Sequence, residues 1–187
     1  MMRLVVLDRD GVINHDSDDF IKTEDEWLPL DGSADAIARL SGAGYTVAVA
    51  TNQSGIGRKL LSEEDLETIH KKMLDHVASA GGRIDKIVYC PHLPEAGCDC
   101  RKPRPGLLAQ LQKHYGTDMS GVPFVGDSER DLRAALAIGA RPMLVLTGNG
   151  RKTLQTIQET GEPMEVFENL AAAVDAMLLE DEQNVHT

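Results

Sequence analysis

A chain of 187 residues with 42% hydrophobic side chains can bury a substantial core but is short for two comfortable domains, so a single domain, 1–187, is expected. Its formal net charge of −11 opposes non-specific attraction to nucleic acid and to anionic membrane, and no stretch is long and apolar enough for a bilayer span, leaving a small ligand as the expected partner. The start carries no signal-peptide pattern and the three cysteines crowd into one short stretch, which points to a reducing compartment, the cytoplasm, and to a metal site rather than a disulfide framework; a monomer is expected.

Leu4 to Leu7 is an uninterrupted apolar run of the kind expected for a strand buried on both faces of a parallel sheet, and Asp8 and Asp10 follow at once. Because side chains alternate along an extended segment, both carboxylates can point past the strand end toward one reactant, while Gly11 turns the backbone away. Two carboxylates this close repel unless a cation or a shared proton intervenes, so a divalent metal is implied. A plain solvated turn is the alternative reading.

Residues 14–30 are polar and read as a loop, after which Asp31 or Ser33 is expected to cap a helix ended by Gly42 and Gly44. Tyr45 to Ala50 is a second strand, running into Thr51-Asn52-Gln53-Ser54-Gly55, a hydroxyl and glycine turn suited to phosphoryl oxygens. Ser62 and Asp65 form a capping box for a helix that Gly81 and Gly82 stop, and its His70 and His76, with no partner visible, read as surface or packing residues. Lys86 to Tyr89 is a third strand.

Cys90, His92, Cys98 and Cys100 then place four zinc-type ligands on one loop, 90–100, matching a closed Cys3His structural set; reduced thiols or a redox pair are the alternative. Arg101, Lys102 and Arg104 follow directly and, with Arg58 and Lys59, are the cations available to reverse the acidic field around an anionic ligand. A helix through Leu107 and Leu111 leads to a strand, Val122 to Val125, that ends in Gly126-Asp127-Ser128-Glu129-Arg130-Asp131; Ser128 and Asp131 also read as a capping box. A fifth strand at Met143 to Leu146, a glycine turn at 148–150, a helix near Thr153 to Thr160, a short strand at Glu165 to Phe167 and a helix from Leu170 to Leu179 complete the pattern, with the acidic tail 180–187 expected to fray. Alternation of strand and helix throughout predicts an α/β, doubly wound, mainly parallel sheet, whose ligands bind beyond the carboxyl ends of the strands.

In order, the Asp8-x-Asp10-Gly-Val stretch, the Thr51 turn, Lys102 and the Asp127 to Asp131 stretch resemble the four motifs of the haloacid dehalogenase superfamily of phosphatases. The resemblance implies a capless fold with a small zinc-binding loop. It also implies that Asp8 is a nucleophile, that Asp10 is acid and then base, and that Thr51 and Lys102 steady the transferring phosphoryl group. Magnesium would be held by Asp8, Asp127 and the carbonyl of Asp10, with Asp131 either behind the metal ligands or a helix cap. The stretches DRDGVIN, TNQSGIGR and CPH…CDCRKPRPG are similar to the heptose bisphosphate phosphatases within that superfamily. This implies a small phosphorylated sugar substrate touched by Asp16, Asn52, Gln53, Ser54, Arg58, Arg101 and Ser128, with Arg101 the foremost candidate for a distal phosphate. Histidinol-phosphate phosphatases share the zinc loop and the Arg-Lys-Pro, and phospho-aspartate receiver domains share a similar residue set, so both stand as alternatives.

Overall fold

The computed structural model describes residues 2–160 and 163–185. In chain order it runs β1 (Arg3–Leu7), α1 (Ser33–Gly42), β2 (Tyr45–Asn52), the single turn α2 (Ser54–Gly57), α3 (Glu63–Ser79), β3 (Lys86–Cys90), α4 (Gly106–Tyr115) and β4 (Pro123–Gly126). It continues with α5 (Glu129–Ala137), β5 (Arg141–Val145), α6 (Gly150–Thr160), β6 (Glu165–Phe167) and α7 (Leu170–Val185). All six strands share one parallel sheet in the order β3-β2-β1-β4-β5-β6, so the winding direction reverses between β1 and β4. That reversal opens a crevice at the carboxyl ends of β1 and β4, where open α/β sheets receive ligands.

The alternation of side chains along β1 and β2 explains why their apolar runs are continuous. Val5, Leu7, Val47 and Val49 pack on one face against Ile37 and Leu40 of α1, Ile69 and Met73 of α3 and Val174 of α7. Leu4, Val6, Ala48 and Ala50 pack on the other, against Leu107, Leu108 and Leu111 of α4 and Ala134 and Ala135 of α5. The two valines and two leucines of β1 are thus buried on both sides, as a central strand requires.

Three expectations are corrected. The segment 14–30 is more than a loop: a 3-10 turn, Glu24–Glu26, leads to Trp27, which is buried edge-on to His76, and Lys72 of α3 donates to the carbonyls of Glu24 and Trp27. Neither Asp31 nor Ser33 caps α1. Gly32 occupies the cap with φ 77°, because the Ser33 hydroxyl is drawn instead to the carbonyls of Ile13 and Leu30, pinning the loop to the helix start. The tail does not fray through 180–185, since α7 runs on to Val185. Arg141 takes both Glu180 oxygens at 2.6 Å, and Asp181 accepts from Tyr45 and pairs with Arg3. Residues 186–187 of that tail lie outside the described residues.

Candidate active site

β1, β2 and β4 deliver their last residues to one cleft, lined by Asp8, Asp10, Thr51, Asn52, Gln53, Ser54, Asp127, Ser128 and Asp131, with Lys102 reaching in from the loop before α4. The Lys102 ammonium is buried and forms three contacts, to Asp8 Oδ1 at 2.8 Å, Asp131 Oδ1 at 2.6 Å and the carbonyl of Ala50 at 2.8 Å. Burial alone would depress this lysine, but Asp131 and Asp8 outweigh it and hold it above the ordinary range. Asp8 is pushed up by burial first and then by Asp131, despite Lys102; burial and Asp131 likewise raise Asp127 to about 7. Three buried carboxylates share one lysine, and their charge is not balanced within the protein.

The remaining hydrogen bonds say which oxygens are available. Asp131 is fully committed: Oδ2 accepts from the N–H and hydroxyl of Ser128, capping α5, while Oδ1 faces Lys102. It therefore caps α5 and pairs with Lys102 at the same time. Asp8 Oδ1 accepts from Arg9 N at 2.8 Å as well as from Lys102, and Asp127 Oδ2 accepts from Asn149 N at 2.8 Å. Among the described residues Asp8 Oδ2 and Asp127 Oδ1 have no protein donor, and the carboxylates of Asp8, Asp127 and Asp131 lie within 4.8 Å of one another. Two free carboxylate oxygens in a site of excess negative charge fit a hard divalent cation such as magnesium.

Asp127 is approached closely by two turns that only glycine allows. A Cβ on Gly11 would lie 2.0 Å from its Oδ2 and one on Gly148 2.2 Å from it, and both glycines have positive φ. Thr147 donates to the carbonyl of Gly11 at 2.6 Å, and Asn149 bonds Asp16 across the cleft at 2.9 Å, so the turn after β5 latches the turn after β1. Asp16 is raised by its burial and by Asp10.

Beside the cleft, Cys90, His92, Cys98 and Cys100 converge. Sulfur–sulfur separations of 3.7 and 3.6 Å and sulfur–Nδ1 separations of 3.4 and 3.2 Å trace the edges of a tetrahedron. A zinc ion with its usual bond lengths to sulfur and nitrogen spans edges of about 3.5 to 3.8 Å, so the set fits it. Burial and the neighbouring sulfurs push Cys100 up to about 12, whereas Cys98 comes down to about 7 because the Arg101 N–H and neighbouring thiols outweigh desolvation. Three adjacent thiolates are tolerable only around a cation.

Some expected contacts stand elsewhere. Arg104 turns back to the carbonyls of Gly97 and Cys98, at 2.6 Å each, and ties down the metal loop. Arg58 stacks over Phe20, 5.6 Å from its ring centre, and neither it nor Lys59 lines the cleft, because the chain leaves α2 there and Lys59 takes a positive φ. Asn52 exchanges two hydrogen bonds with the backbone of Lys102, and Gln53 donates to Asp10 and Thr51, so both amides first hold the site's own residues. Arg101, Ser54 and Ser128 do line it.

Three residues escaped sequence reasoning. Arg130 lines the cleft with Arg101; its signal was its place inside the Asp127 to Asp131 stretch. Asn149 was marked only by glycines following a strand that ends at the same sheet edge. Arg9 is wholly buried beneath Asp10, and its contact with His70 gives that histidine the partner the sequence did not show.

A parallel 3-2-1-4-5-6 sheet carrying an aspartate pair after β1, a hydroxyl after β2, a lysine before α4 and aspartates after β4 defines a phosphatase of the haloacid dehalogenase superfamily. The family described as HAD-hyrolase-like matches residues 99–173. The chain is 55% identical to the D-glycero-beta-D-manno-heptose-1,7-bisphosphate 7-phosphatase of Pseudomonas aeruginosa, over 94% of this chain and 97% of that one. Its fold matches the crystal structure of D,D-heptose 1,7-bisphosphate phosphatase from Bordetella bronchiseptica complexed with magnesium and phosphate, with TM-score 0.91 and 51% identity over 96% of this chain and 99% of that one. The Burkholderia thailandensis enzyme of the same description matches with TM-score 0.73 and 43% identity over 94% and 98%. The chain belongs to this family of heptose bisphosphate 7-phosphatases and is a phosphoric monoester hydrolase.

Proposed function

We infer that the protein removes the C7 phosphate of D-glycero-D-manno-heptose 1,7-bisphosphate with magnesium. The observation that carries the reading is the meeting of Asp8, Lys102 and Asp10 in one cleft of a chain so similar to enzymes named for that reaction. Asp8 attacks phosphorus, the bond from phosphorus to the C7 oxygen breaks, and Asp10 gives that oxygen a proton. Asp10 then takes a proton from the water that cleaves the phosphoaspartate. Thr51 and Lys102 hold the transferring oxygens. Magnesium, bound by Asp8, Asp127 and the carbonyl of Asp10, supplies positive charge against the carboxylates and the phosphoryl group.

Arg101 and Arg130 take the distal phosphate. Arg101 is depressed by partial burial and then by Arg130, and two guanidinium groups that repel each other at the rim of an acidic cleft favour an anion between them. Asp16 and Ser128 face the sugar. Zinc on Cys90, His92, Cys98 and Cys100 has a closed shell and serves to fix Arg101 and Lys102, which follow it directly. The chain acts as one capless domain and as a monomer in the cytoplasm, where its free cysteines stay reduced; no helix among the described residues is long and apolar enough to cross a membrane.

The test is a kinetic panel of phosphate esters with magnesium. The heptose 1,7-bisphosphate should give the highest kcat/KM, with release from C7. Faster turnover of histidinol phosphate would replace this substrate, and absence of steady phosphate release from any ester would leave a phospho-aspartate switch.

A further inference from the structure

Arg9 takes no part in these chemical steps, yet it stands in the chain between Asp8 and Asp10 and its charged side chain has no solvent exposure. Its guanidinium forks onto Asp10, Nε to Oδ1 at 3.0 Å and Nη2 to Oδ2 at 3.2 Å. The third nitrogen, Nη1, lies 3.3 Å from Nε2 of His70 on α3. An arginine cannot give up its proton, so the contact requires a neutral imidazole whose Nε2 lone pair accepts and whose proton sits on Nδ1. Burial, reinforced by the Arg9 charge, lowers His70 to about 3 and keeps it in that form.

The grip on Asp10 is directional. Oδ1 accepts from Arg9 and from Asn14 Nδ2 at 2.9 Å, which occupies both of its lone pairs. Oδ2 has the weaker share of Arg9 Nη2, which is 3.2 Å from it but 2.9 Å from Oδ1, and also accepts from Gln53 at 3.0 Å; Gln53 lines the cleft and donates to Thr51 as well, so this is the bond that can yield when a substrate enters. A buried ion pair serving only to neutralise Asp10 would not need a histidine from another element to fix the arginine's far end. We propose that Arg9, locked by His70, is a positioning pair that orients the Asp10 carboxylate so that Oδ2 carries the proton to the leaving oxygen and recovers it from water. The proposal rests on the reading of Asp10 as acid and base, and the proton count closes: ester and water give alcohol and phosphate.

The experiment compares His70→Leu, His70→Gln, Asp10→Asn and the double variant Asp10→Asn with His70→Leu, in magnesium, with Tm measured for each. His70→Leu should lower kcat about tenfold while leaving KM within about twofold, a fraction of the roughly 10² to 10⁴ that a well-placed acid-base group contributes. His70→Gln, whose amide oxygen still accepts from Arg9, should recover most of the loss. The double variant should be no slower than Asp10→Asn alone. An unchanged kcat in folded His70→Leu, or losses that multiply in the double variant, overturns the proposal. Should His70→Leu not fold, Arg9→Lys, which keeps the charge and loses the fork, must show the same kcat loss, and a wild-type kcat there overturns it. Undiminished turnover by Asp10→Asn would instead remove the role of Asp10 itself.

Discussion

The floor of the cleft and its rim are built in opposite ways. On the floor, Asp8 and Asp127 are buried at strand ends, Lys102 and Asp131 reach them from the loop before α4 and from α5, and short contacts link them, so each side chain has essentially one position. At the rim, Arg101 is partly exposed on a loop and Arg130 exposed at a helix start, and among the described residues the hydrogen bond that the Arg101 side chain makes, to the carbonyl of His92, is a long one of 3.4 Å. Chemistry that every phosphate ester requires is fixed by the sheet; discrimination between esters is left to side chains that a substrate can order. A floor substitution should therefore abolish turnover of all substrates, and a rim substitution should change their ranking.

The largest effect should follow Asp8→Asn, which removes the nucleophile while leaving an acceptor for Lys102. A loss in kcat of at least about a thousandfold is expected on every ester, as when a covalent nucleophile is removed elsewhere. Substantial magnesium-dependent turnover by this variant, measured as phosphate release, would mean that water and not Asp8 attacks phosphorus.

Between floor and rim stands the metal loop. Cys98→Ser should release zinc, seen as its absence in elemental analysis of the purified protein, and should raise KM more than it lowers kcat, because the loop that carries Arg101 and Lys102 loses a metal whose binding stabilises such folds by roughly 10 kcal/mol. Equal zinc content in Cys98→Ser and wild type would show that this cysteine is not a ligand.

At the rim, Arg101→Ala and Arg130→Ala should each cost up to about 1.5 kcal/mol in kcat/KM toward the bisphosphate, the low end for a charge-assisted contact, because Arg101 is partly solvated and Arg130 exposed. Monophosphates should be turned over almost as before. Equal losses on both substrate types would put these arginines with the floor and erase the distinction.

What the sequence discloses follows the same division. Asp8, Asp10, Thr51, Asp127 and Lys102, and the four metal-type ligands, sit in contiguous stretches beside strands, so alternation and strand-end topology suffice to bring them together. The α/β alternation likewise predicts the sheet. What stays hidden depends on contacts between distant segments. Arg9 meets His70 across 61 positions, Asn149 reaches Asp16 across 133, and Glu180 meets Arg141 across 39. No local period signals these. Asn52 and Gln53 are a subtler case, because their residue types suit a phosphate equally well, and in the folded protein Lys102, Asp10 and Thr51 already engage them. The helix cap at Gly32 has no sequence signal, because the hydroxyl of Ser33 turns away from the helix to the carbonyls of Ile13 and Leu30.

The last predicted effect bears on stability in acid and not on turnover, and it separates the scaffold from the floor. A histidine in the unfolded chain titrates near 6.5, whereas burial and Arg9 hold His70 at about 3 in the folded protein. Between those values the unfolded chain binds the extra proton, so the free energy of unfolding rises with pH, and stability is lost as pH falls from about 6.5 toward 3. The metal-free floor acts in the opposite sense. Asp127, raised to about 7, and Asp8, also raised, bind protons more tightly when folded, so their contribution to stability grows as pH falls through the same window. In the wild type the two trends offset one another, and the slope of the whole protein tells little. The difference between wild type and His70→Gln isolates the histidine: the variant, which cannot titrate at 70, should lose less stability between pH 6.5 and 4.5, by at most about 1.4 kcal/mol per pH unit. Urea midpoints measured at several pH values, with and without magnesium, check it. Magnesium should shift the shared slope of both proteins through Asp8 and Asp127 and leave their difference unchanged; a difference that vanishes with magnesium would tie His70 to the floor instead of the scaffold.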